Sequence, residues 1–231
     1  MSALVSPDPS YYTFEQRSLR NSEVYDTVDE ITDNRSLLKW TKVLFWLEAD
    51  KTDEYVLRAL KLNGMNEATM KLKKNYKYYK YFARKSVEYR INKWVRRRMT
   101  TWDVWKELGL HKKVVYRSQL DSIKRTPEYN IYVRYVNAFD SNVKESRKAG
   151  QSIHFTMVSR GASDAEMYAR IRIMAYNLTD DKNAKILLGL TDRSKGYTVV
   201  LKGIALTEHE EYHWFKLFME LRQQMKSRVN L

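Results

Sequence analysis

The segment TWDVWKELGL (residues 101–110), followed by TPEYNIYVRYVNAF (residues 126–139), carries the strongest fold signal in this 231-residue chain. The first segment ends in Leu-x-Leu at Leu108–Leu110, and the second begins its aromatic positions at Tyr129. Further Leu-x-Leu tails stand at residues 60–62 and 188–190, and further aromatic segments begin at Tyr76 and Tyr212. Self-similar segments of this kind are typical of modules that stack on one another to bury their apolar faces.

The composition favours a helical protein with an aromatic core. Hydrophobic residues make up 43% of the chain and aromatic residues 13%, which is enough apolar material for a core. None of the three prolines falls inside a periodic segment. The chain has no cysteine, which excludes disulfides and a cysteine-based zinc site. No apolar run approaches the roughly 18 residues of a membrane span. Since residues 1–6 also lack a signal peptide's apolar region, we expect a soluble chain whose secretion signal has been removed.

Periodicity divides the chain into a leader and helical modules. Residues 1–35 are polar, contain two prolines and show no helical stripe, so we expect a disordered leader. Apolar residues recur at helical spacing from Ser36 onward. We expect a first helical module at residues 36–115 and a second module, or two, at residues 116–231. The predicted fold class is all-α, with two or three tandem small helical bundles behind the leader.

Helix starts are predicted where a capping residue precedes an apolar run. The expected N-caps are Thr52, Thr100 or Thr101, and Thr126, the last with Pro127 at the first helical position. Ser163-x-x-Glu166 and Thr207-x-x-Glu210 have the pattern of capping boxes, in which the glutamate side chain bonds back to the cap.

Positive charge is concentrated in one segment. The chain carries a net charge of +14, and residues 71–98 hold twelve Lys and Arg against the single acid Glu88. The candidate basic face consists of Lys73, Lys74, Lys77, Lys80, Arg84, Arg96, Arg97 and Arg98. Lysines interleaved with tyrosines can bind nucleic acid, and the same charge can bind an acidic phospholipid surface. The alternative is that the aromatic residues pack inward and the lysines cover the solvent side.

Two short motifs have a functional and a structural interpretation. His209-Glu210-x-x-His213 matches a zinc-protease motif, but no third ligand stands at a fitting position, so we expect no metal. The segment at residues 42–45, KVLF, matches a phosphatase-docking tetrapeptide that binds as an extended strand. Helical periodicity instead predicts that it lies in an amphipathic helix with Phe45 buried. No catalytic set, Gly-rich phosphate loop or acid pair stands out, so we expect neither an enzyme nor a cofactor.

Two features together resemble one known family. The segment Arg17-Ser18-Leu19-Arg20 matches the Arg-x-Leu-Arg translocation motif of oomycete plant-pathogen effectors, in which Arg17, Leu19 and Arg20 are the motif positions. Behind it, the segments at residues 46–62, 75–82, 101–110 and 132–139 resemble the W and Y motifs of the WY, or tandem LWY, effector fold. The resemblance covers residues 36–231.

The resemblance implies both a fold and a function. The W and Y positions of the family form the core of a small helical bundle, which assigns Trp46, Tyr79, Phe82, Trp102, Trp105, Tyr132, Tyr135, Phe139, Trp214 and Phe218 to the core. The implied protein is secreted by the pathogen and moved into the cytoplasm or nucleus of the plant cell. There it binds host proteins, without catalysis, and suppresses immunity.

Overall fold

The computed structural model describes residues 34–151, 156–192, 195 and 199–229. The predicted all-α class is confirmed: these ranges contain helices and no strand, apart from an isolated bridge between Thr191 and Val200. The helices of the N-terminal part are α1 (Asn34–Glu48), α2 (Asp53–Ala59), α3 (Glu67–Lys71) and α4 (Tyr76–Arg96). They are followed by α5 (Thr101–Glu107), α6 (Leu110–Lys113), a 3-10 helix (Arg117–Ser122), α7 (Pro127–Lys148), α8 (Asp164–Tyr176), α9 (Asp181–Leu187), α10 (Gly203–Thr207) and α11 (Tyr212–Val229).

Side-chain caps start several of these helices where the sequence predicts. The hydroxyl of Thr52 accepts from the backbone N–H of Tyr55, and Thr126 does the same for Tyr129 with Pro127 at the first position of α7. Thr100, not Thr101, caps α5, and Asp103 completes a capping box with it. Each cap satisfies a backbone donor that the first helical turn leaves without an intrahelical partner.

The two predicted capping boxes at residues 163–166 and 207–210 do not form. Ser163 accepts from the backbone N–H of Glu166 and caps α8, but the Glu166 side chain turns into the protein interior. Thr207 ends α10 and its hydroxyl donates to the carbonyl of Ile204, so it caps no helix. Residues 203–207 instead form the short helix α10.

The chain divides into two compact units at a point within α4, between Ser86 and Val87. The predicted module bounds at residues 115 and 116 stay a prediction. Trp105 of α5 contacts Tyr132 of α7 edge-to-face, with ring centroids 4.8 Å apart. The Trp-containing segment at residues 101–110 and the Tyr-containing segment at residues 126–139 thus share one core. The number of family-type modules stays a prediction.

In its described part, the first unit packs its helices around a small set of large apolar side chains. Its buried apolar residues are Val43, Trp46, Leu47, Val56, Leu60, Leu62, Tyr78 and Phe82. Trp40 packs edge-to-face on Tyr78 and Tyr81, with centroids 4.8 and 5.3 Å apart. The contact of aromatic rings joins α1 to the first turns of α4 and fixes the surface that these two helices form.

The second unit has a larger core, and α8 lies within it. This helix packs against α11, α7, α5 and the 3-10 helix. Nine of its thirteen residues are buried, including the charged pair Glu166 and Arg170. Because protein surrounds α8 on most sides, its sequence shows little contrast between an apolar face and a polar face.

Candidate binding surfaces

A cleft in the first unit gathers cationic and polar side chains from α1 and from the start of α4. We name it the basic cleft. Its cations are Arg35, Lys39, Lys74 and Lys77. Its neutral polar side chains are Ser36, Asn75 and Tyr78, and no acidic residue of the described ranges lines it. A pocket with positive charge and several hydrogen-bond donors is suited to an anion.

Hydrogen bonds within the cleft hold its polar groups in place. The hydroxyl oxygens of Ser36 and Tyr78 are 3.1 Å apart. The Lys39 ammonium donates to Asn75 Oδ1 at 2.9 Å, while the Asn75 amide donates to the backbone carbonyl of Leu60, also at 2.9 Å. The Tyr78 ring is buried, and the Nζ atoms of Lys39 and Lys77 lie 5.6 and 5.7 Å from its centroid. Groups that are already positioned lose less entropy when a ligand binds.

The basic face predicted from sequence is exposed but divided. Lys73, Lys74, Lys77, Lys80 and Arg84 belong to the first unit, and Arg96, Arg97 and Arg98 to the second. Of these eight residues, only Lys74 and Lys77 line the basic cleft. The cleft residues Arg35, Ser36 and Lys39 were missed, because they lie some 40 positions before α4 in sequence. Only the packing of α1 on α4 brings them to that segment.

The tyrosines interleaved with the basic residues of α4 are engaged in packing. Tyr78 is buried, and Tyr81 is half-buried with Trp40 against its ring and Arg84 5.7 Å from its centroid. Tyr76 and Tyr79 are half-buried and contact each other. Base stacking requires a ring face that is open to the ligand. This arrangement favours the interpretation in which the aromatic residues belong to the fold.

A second surface is the solvent side of α1. Leu37, Leu38, Leu44 and Phe45 recur there at helical spacing and are exposed, Leu38 to 62% and Phe45 to 63%. We name these four residues the apolar face. The segment at residues 42–45 is helical as predicted, but the prediction that Phe45 is buried is wrong. Val43 is the buried residue, and Phe45 lies roughly 200° around the helix from it. The sequence of α1 has two apolar stripes, one through Val43 and one through Phe45. This pattern was the available signal that one of the two stripes is exposed.

Most of the predicted core aromatics are buried. The structure buries Trp46, Phe82, Trp105, Tyr132, Tyr135, Phe139, Trp214 and Phe218. Tyr79 and Trp102 are half-buried instead. At the start of α4 the buried position belongs to Tyr78, because Tyr78 and Phe82 are four residues apart and share a helix face. Trp102 is partly covered by the Lys106 side chain, whose Nζ lies 5.8 Å from the ring.

A buried polar network in the second unit was not predicted. The Tyr132 hydroxyl donates to Glu166 Oε1 at 2.6 Å. The Arg170 guanidinium donates to the backbone carbonyls of Met157 and Leu187, the latter at 2.7 Å. Burial raises the pKa of Glu166, and the nearby charge of Arg170 opposes this shift. A buried carboxyl with a shifted pKa is one mark of an active site. Here no substrate can reach it, since Glu166 and Arg170 are fully buried, so its role is structural.

Asp140 of α7 is the second buried acid. It is 3% exposed, and neither carboxylate oxygen has a hydrogen-bond partner. Burial raises the pKa of Asp140 to about 6, against the attraction of Arg170 and Lys144. Burying a carboxyl group without hydrogen bonds costs less free energy in the neutral form than in the charged form, because desolvation penalises the charge.

The histidines of the zinc-protease motif are engaged locally. His209 Nδ1 accepts from the backbone N–H of Glu211, and His213 Nδ1 lies 2.7 Å from the carbonyl oxygen of Glu210. In the ranges described, no three side chains of His, Cys, Asp or Glu are grouped to hold a metal. None of the helices in those ranges is long and apolar enough to cross a membrane. The translocation motif at residues 17–20 lies outside the described residues.

The fold and surfaces define an all-helical protein with two compact units, aromatic packing and a basic cleft. Two curated proteins of Phytophthora infestans (strain T30-4) are similar to it. One, a secreted RxLR effector protein, is 22% identical over 170 residues, which are 73% of this chain and 74% of the relative. The other, RxLR effector protein Avr1, is 25% identical over 154 residues, or 67% of this chain and 66% of the relative.

The predicted resemblance to RxLR effectors is confirmed by these two relatives. The WY-type modules stay a prediction. No family model matches the chain, and no solved structure matches it.

Proposed function

We propose that this chain is a secreted pathogen effector that enters plant cells and suppresses immunity there by binding a host protein, without catalysis. Two observations support the effector class: the similarity to two proteins named RxLR effectors, and the translocation-type segment at residues 17–20. The site of action is the host cytoplasm or nucleus.

The apolar face is the observation that carries the binding step. Contiguous exposed apolar side chains on a water-soluble helix cost free energy unless a partner covers them, and such patches mark protein interaction sites. Leu38 and Phe45 are seven residues apart and so share one side of α1. The net charge of +14 supports a partner with an acidic surface, since complementary charge accelerates association.

The binding step is tested by expressing the chain in plant leaves and comparing two paired variants. Leu38→Glu with Phe45→Glu disrupts the apolar face. Leu72→Glu with Ile204→Glu changes two apolar residues elsewhere that are even more exposed, and serves as the control. We expect the wild type and the control pair to co-purify a specific host protein and to lower the immune oxidative burst. The apolar-face pair should lose both properties. Equal behaviour of the two pairs would contradict the assignment of the apolar face.

Delivery is tested separately. Replacing Arg17, Leu19 and Arg20 with alanine should reduce the amount of chain that reaches the plant cytosol from an expressing pathogen. Immune suppression should persist when the same variant is expressed inside the plant cell. Undiminished delivery of the variant would exclude residues 17–20 as the translocation signal.

The alternative function is binding of nucleic acid or acidic phospholipid through residues 71–98. Exposure of all eight predicted basic residues favours it. Tight binding of an oligonucleotide that weakens steeply with salt would support it. Under this alternative, Arg96→Glu with Arg97→Glu abolishes binding, whereas the effector proposal expects host-protein capture by that variant to be unchanged.

A further inference from the structure

We propose that the basic cleft recognises a phosphorylated serine or threonine side chain in a protein segment. This inference rests on the proposed function in taking a host protein as the source of that segment. Three observations support it: the identity of the donors in the cleft, the donor groups that the internal hydrogen bonds leave unused, and the neighbouring surfaces.

The charges of the cleft fit a phosphate monoester. A phosphate of this kind carries about −1.5 to −2 charges and three acceptor oxygens at neutral pH. Arg35 supplies a planar guanidinium, which suits bidentate contact with phosphate, and the three lysines supply point charges. No acid of the described ranges lines the cleft, and its lining is positively charged.

The internal hydrogen bonds leave donors available. Ser36 and Tyr78 share one hydrogen bond, which uses only one of their two O–H groups. Asn75 uses one amide N–H on the Leu60 carbonyl, and Lys39 uses one of its three on Asn75. The cleft therefore holds positioned neutral donors beside its cations. That combination distinguishes a phosphate site from a diffuse basic surface.

The surroundings of the cleft favour a protein segment over the other phosphate-bearing macromolecules. Tyr78 is buried under Trp40 and offers no open ring to a base, which disfavours nucleic acid. Leu37 and Leu44 lie on roughly the opposite side of α1 from Lys39, at about 100° per residue. A flat bilayer that reached the cleft would leave those side chains in water. A peptide can follow the helix surface and contact Leu38 beside the cleft.

The first experiment measures binding of the full chain to an array of peptides that contain one phosphoserine between random flanking residues. The same array with unmodified serine is the reference. We expect binding to phosphoserine peptides that is at least about tenfold tighter, since a charge-assisted hydrogen bond is typically worth about a factor of ten. Inorganic phosphate should compete. Equal binding to both arrays would overturn the proposal.

Paired variants locate the site. Lys39→Gln with Lys77→Gln removes one charge from each helix of the cleft, and Lys42→Gln with Lys80→Gln removes one charge from each of the same helices outside it. The cleft pair should weaken phosphopeptide binding by about tenfold or more, and the control pair by less than about twofold. Ser36→Ala keeps the charge and should lower the preference for phosphoserine over serine. Equal losses in the two lysine pairs would show diffuse charge and refute the site.

Further experiments distinguish failure of the phosphopeptide assignment from failure of the proposed function. Binding to phosphatidylcholine vesicles with an added phosphoinositide, or to a single-stranded oligonucleotide, without phosphopeptide binding, would overturn the phosphopeptide assignment. If phosphatase treatment of the plant extract leaves host-protein capture unchanged, the effector proposal stands and the phosphate inference fails. If the wild type captures no host protein but binds phosphoserine peptides, the effector proposal fails and the cleft assignment stands.

Discussion

The Tyr132 hydroxyl on α7 donates a 2.6 Å hydrogen bond to Oε1 of Glu166 on α8, and both residues are fully buried. One turn along α8, Arg170 donates to the carbonyls of Met157 and Leu187. The two side chains of one helix thus bind three other segments of the second unit. These hydrogen bonds form only when α8 packs against those three segments, which makes the packing of α8 specific.

Removing the Tyr132 hydroxyl should destabilise the second unit. Tyr132→Phe keeps the ring but leaves the buried Glu166 without its hydroxyl donor, which should lower the free energy of unfolding by about 1–3 kcal/mol. Urea denaturation measures this change. Tyr176→Phe is the matched control, since Tyr176 is 76% exposed and its substitution should change the free energy by less than about 0.5 kcal/mol. Equal effects would show that the hydrogen bond does not contribute.

Truncating a core ring should cost more than removing a hydroxyl. Tyr135 is fully buried, contacts the Trp94 ring at 5.7 Å and donates to the Met99 carbonyl at 2.5 Å. Tyr135→Ala should lower the free energy of unfolding by about 3–5 kcal/mol, the range for large buried aromatics. Thermal and urea unfolding report it. A loss below about 1 kcal/mol would be inconsistent with the core position.

Asp140 should make stability fall with rising pH. Burial raises its pKa to about 6 in the folded chain. The unfolded value is about 3.9. The folded state therefore holds the proton more tightly, and this stabilisation is fully present below about pH 4 and lost as pH rises through about 6. A shift of about two units corresponds to about 3 kcal/mol.

The Asp140→Asn variant isolates this contribution, because other carboxyls also titrate in the same range. The difference in the free energy of unfolding between the variant and the wild type should change by up to about 3 kcal/mol from pH 4 to pH 7, in favour of the variant at pH 7. Urea denaturation at a series of pH values provides the curve. Parallel curves for the two proteins would contradict the raised pKa.

A partly buried ion pair should matter more than an exposed one. Arg222 of α11 donates to the Thr179 carbonyl at 2.8 Å and to Asp181 at 2.5 Å, and its side chain is 12% exposed. Arg222→Ala should lower the free energy of unfolding by about 1.5–3 kcal/mol. Arg58→Ala breaks an exposed pair with Glu54 and should change it by less than about 1 kcal/mol. The reverse order in chemical denaturation would disprove the role of Arg222 in anchoring α11.

The orientation of α1 can be tested by stability alone. Phe45→Glu changes an exposed residue and should alter the free energy of unfolding by less than about 0.5 kcal/mol. Trp46→Ala, one residue on, removes a buried ring and should cost about 3–5 kcal/mol. Differential scanning calorimetry of the two variants distinguishes them. A large loss for Phe45→Glu would mean that this ring is buried, as the sequence alone suggests.

Local chemistry explains which features of the fold could be predicted. The caps Thr52 and Thr126 act within three residues of their partners, so their sequence context is sufficient. Thr207 and Glu210 match the capping-box pattern but form no cap, because Thr207 is the last residue of the short helix α10. At Glu166, half of the capping box forms, and the side chain instead accepts a hydrogen bond from a tyrosine 34 residues away.

The candidate site was less predictable than the fold. Charge counting found Lys74 and Lys77, since both stand in the basic segment. It could not find Arg35 or Lys39, because no local pattern joins them to α4. The choice between Phe45 and Val43 for the buried side of α1 likewise depends on which stripe another helix covers.

The amino-acid sequence alone predicts that this chain is helical, where several helices begin, that aromatic residues build its cores, and that it resembles RxLR effectors. These properties follow from spacing, capping and motif, which act over a few neighbouring residues. Three features emerge only from the folded chain: α5 and α7 share a core, Glu166 is buried, and α1 completes a basic cleft with α4. Each depends on contacts between residues distant in the chain, where packing selects one partner among several that local chemistry permits.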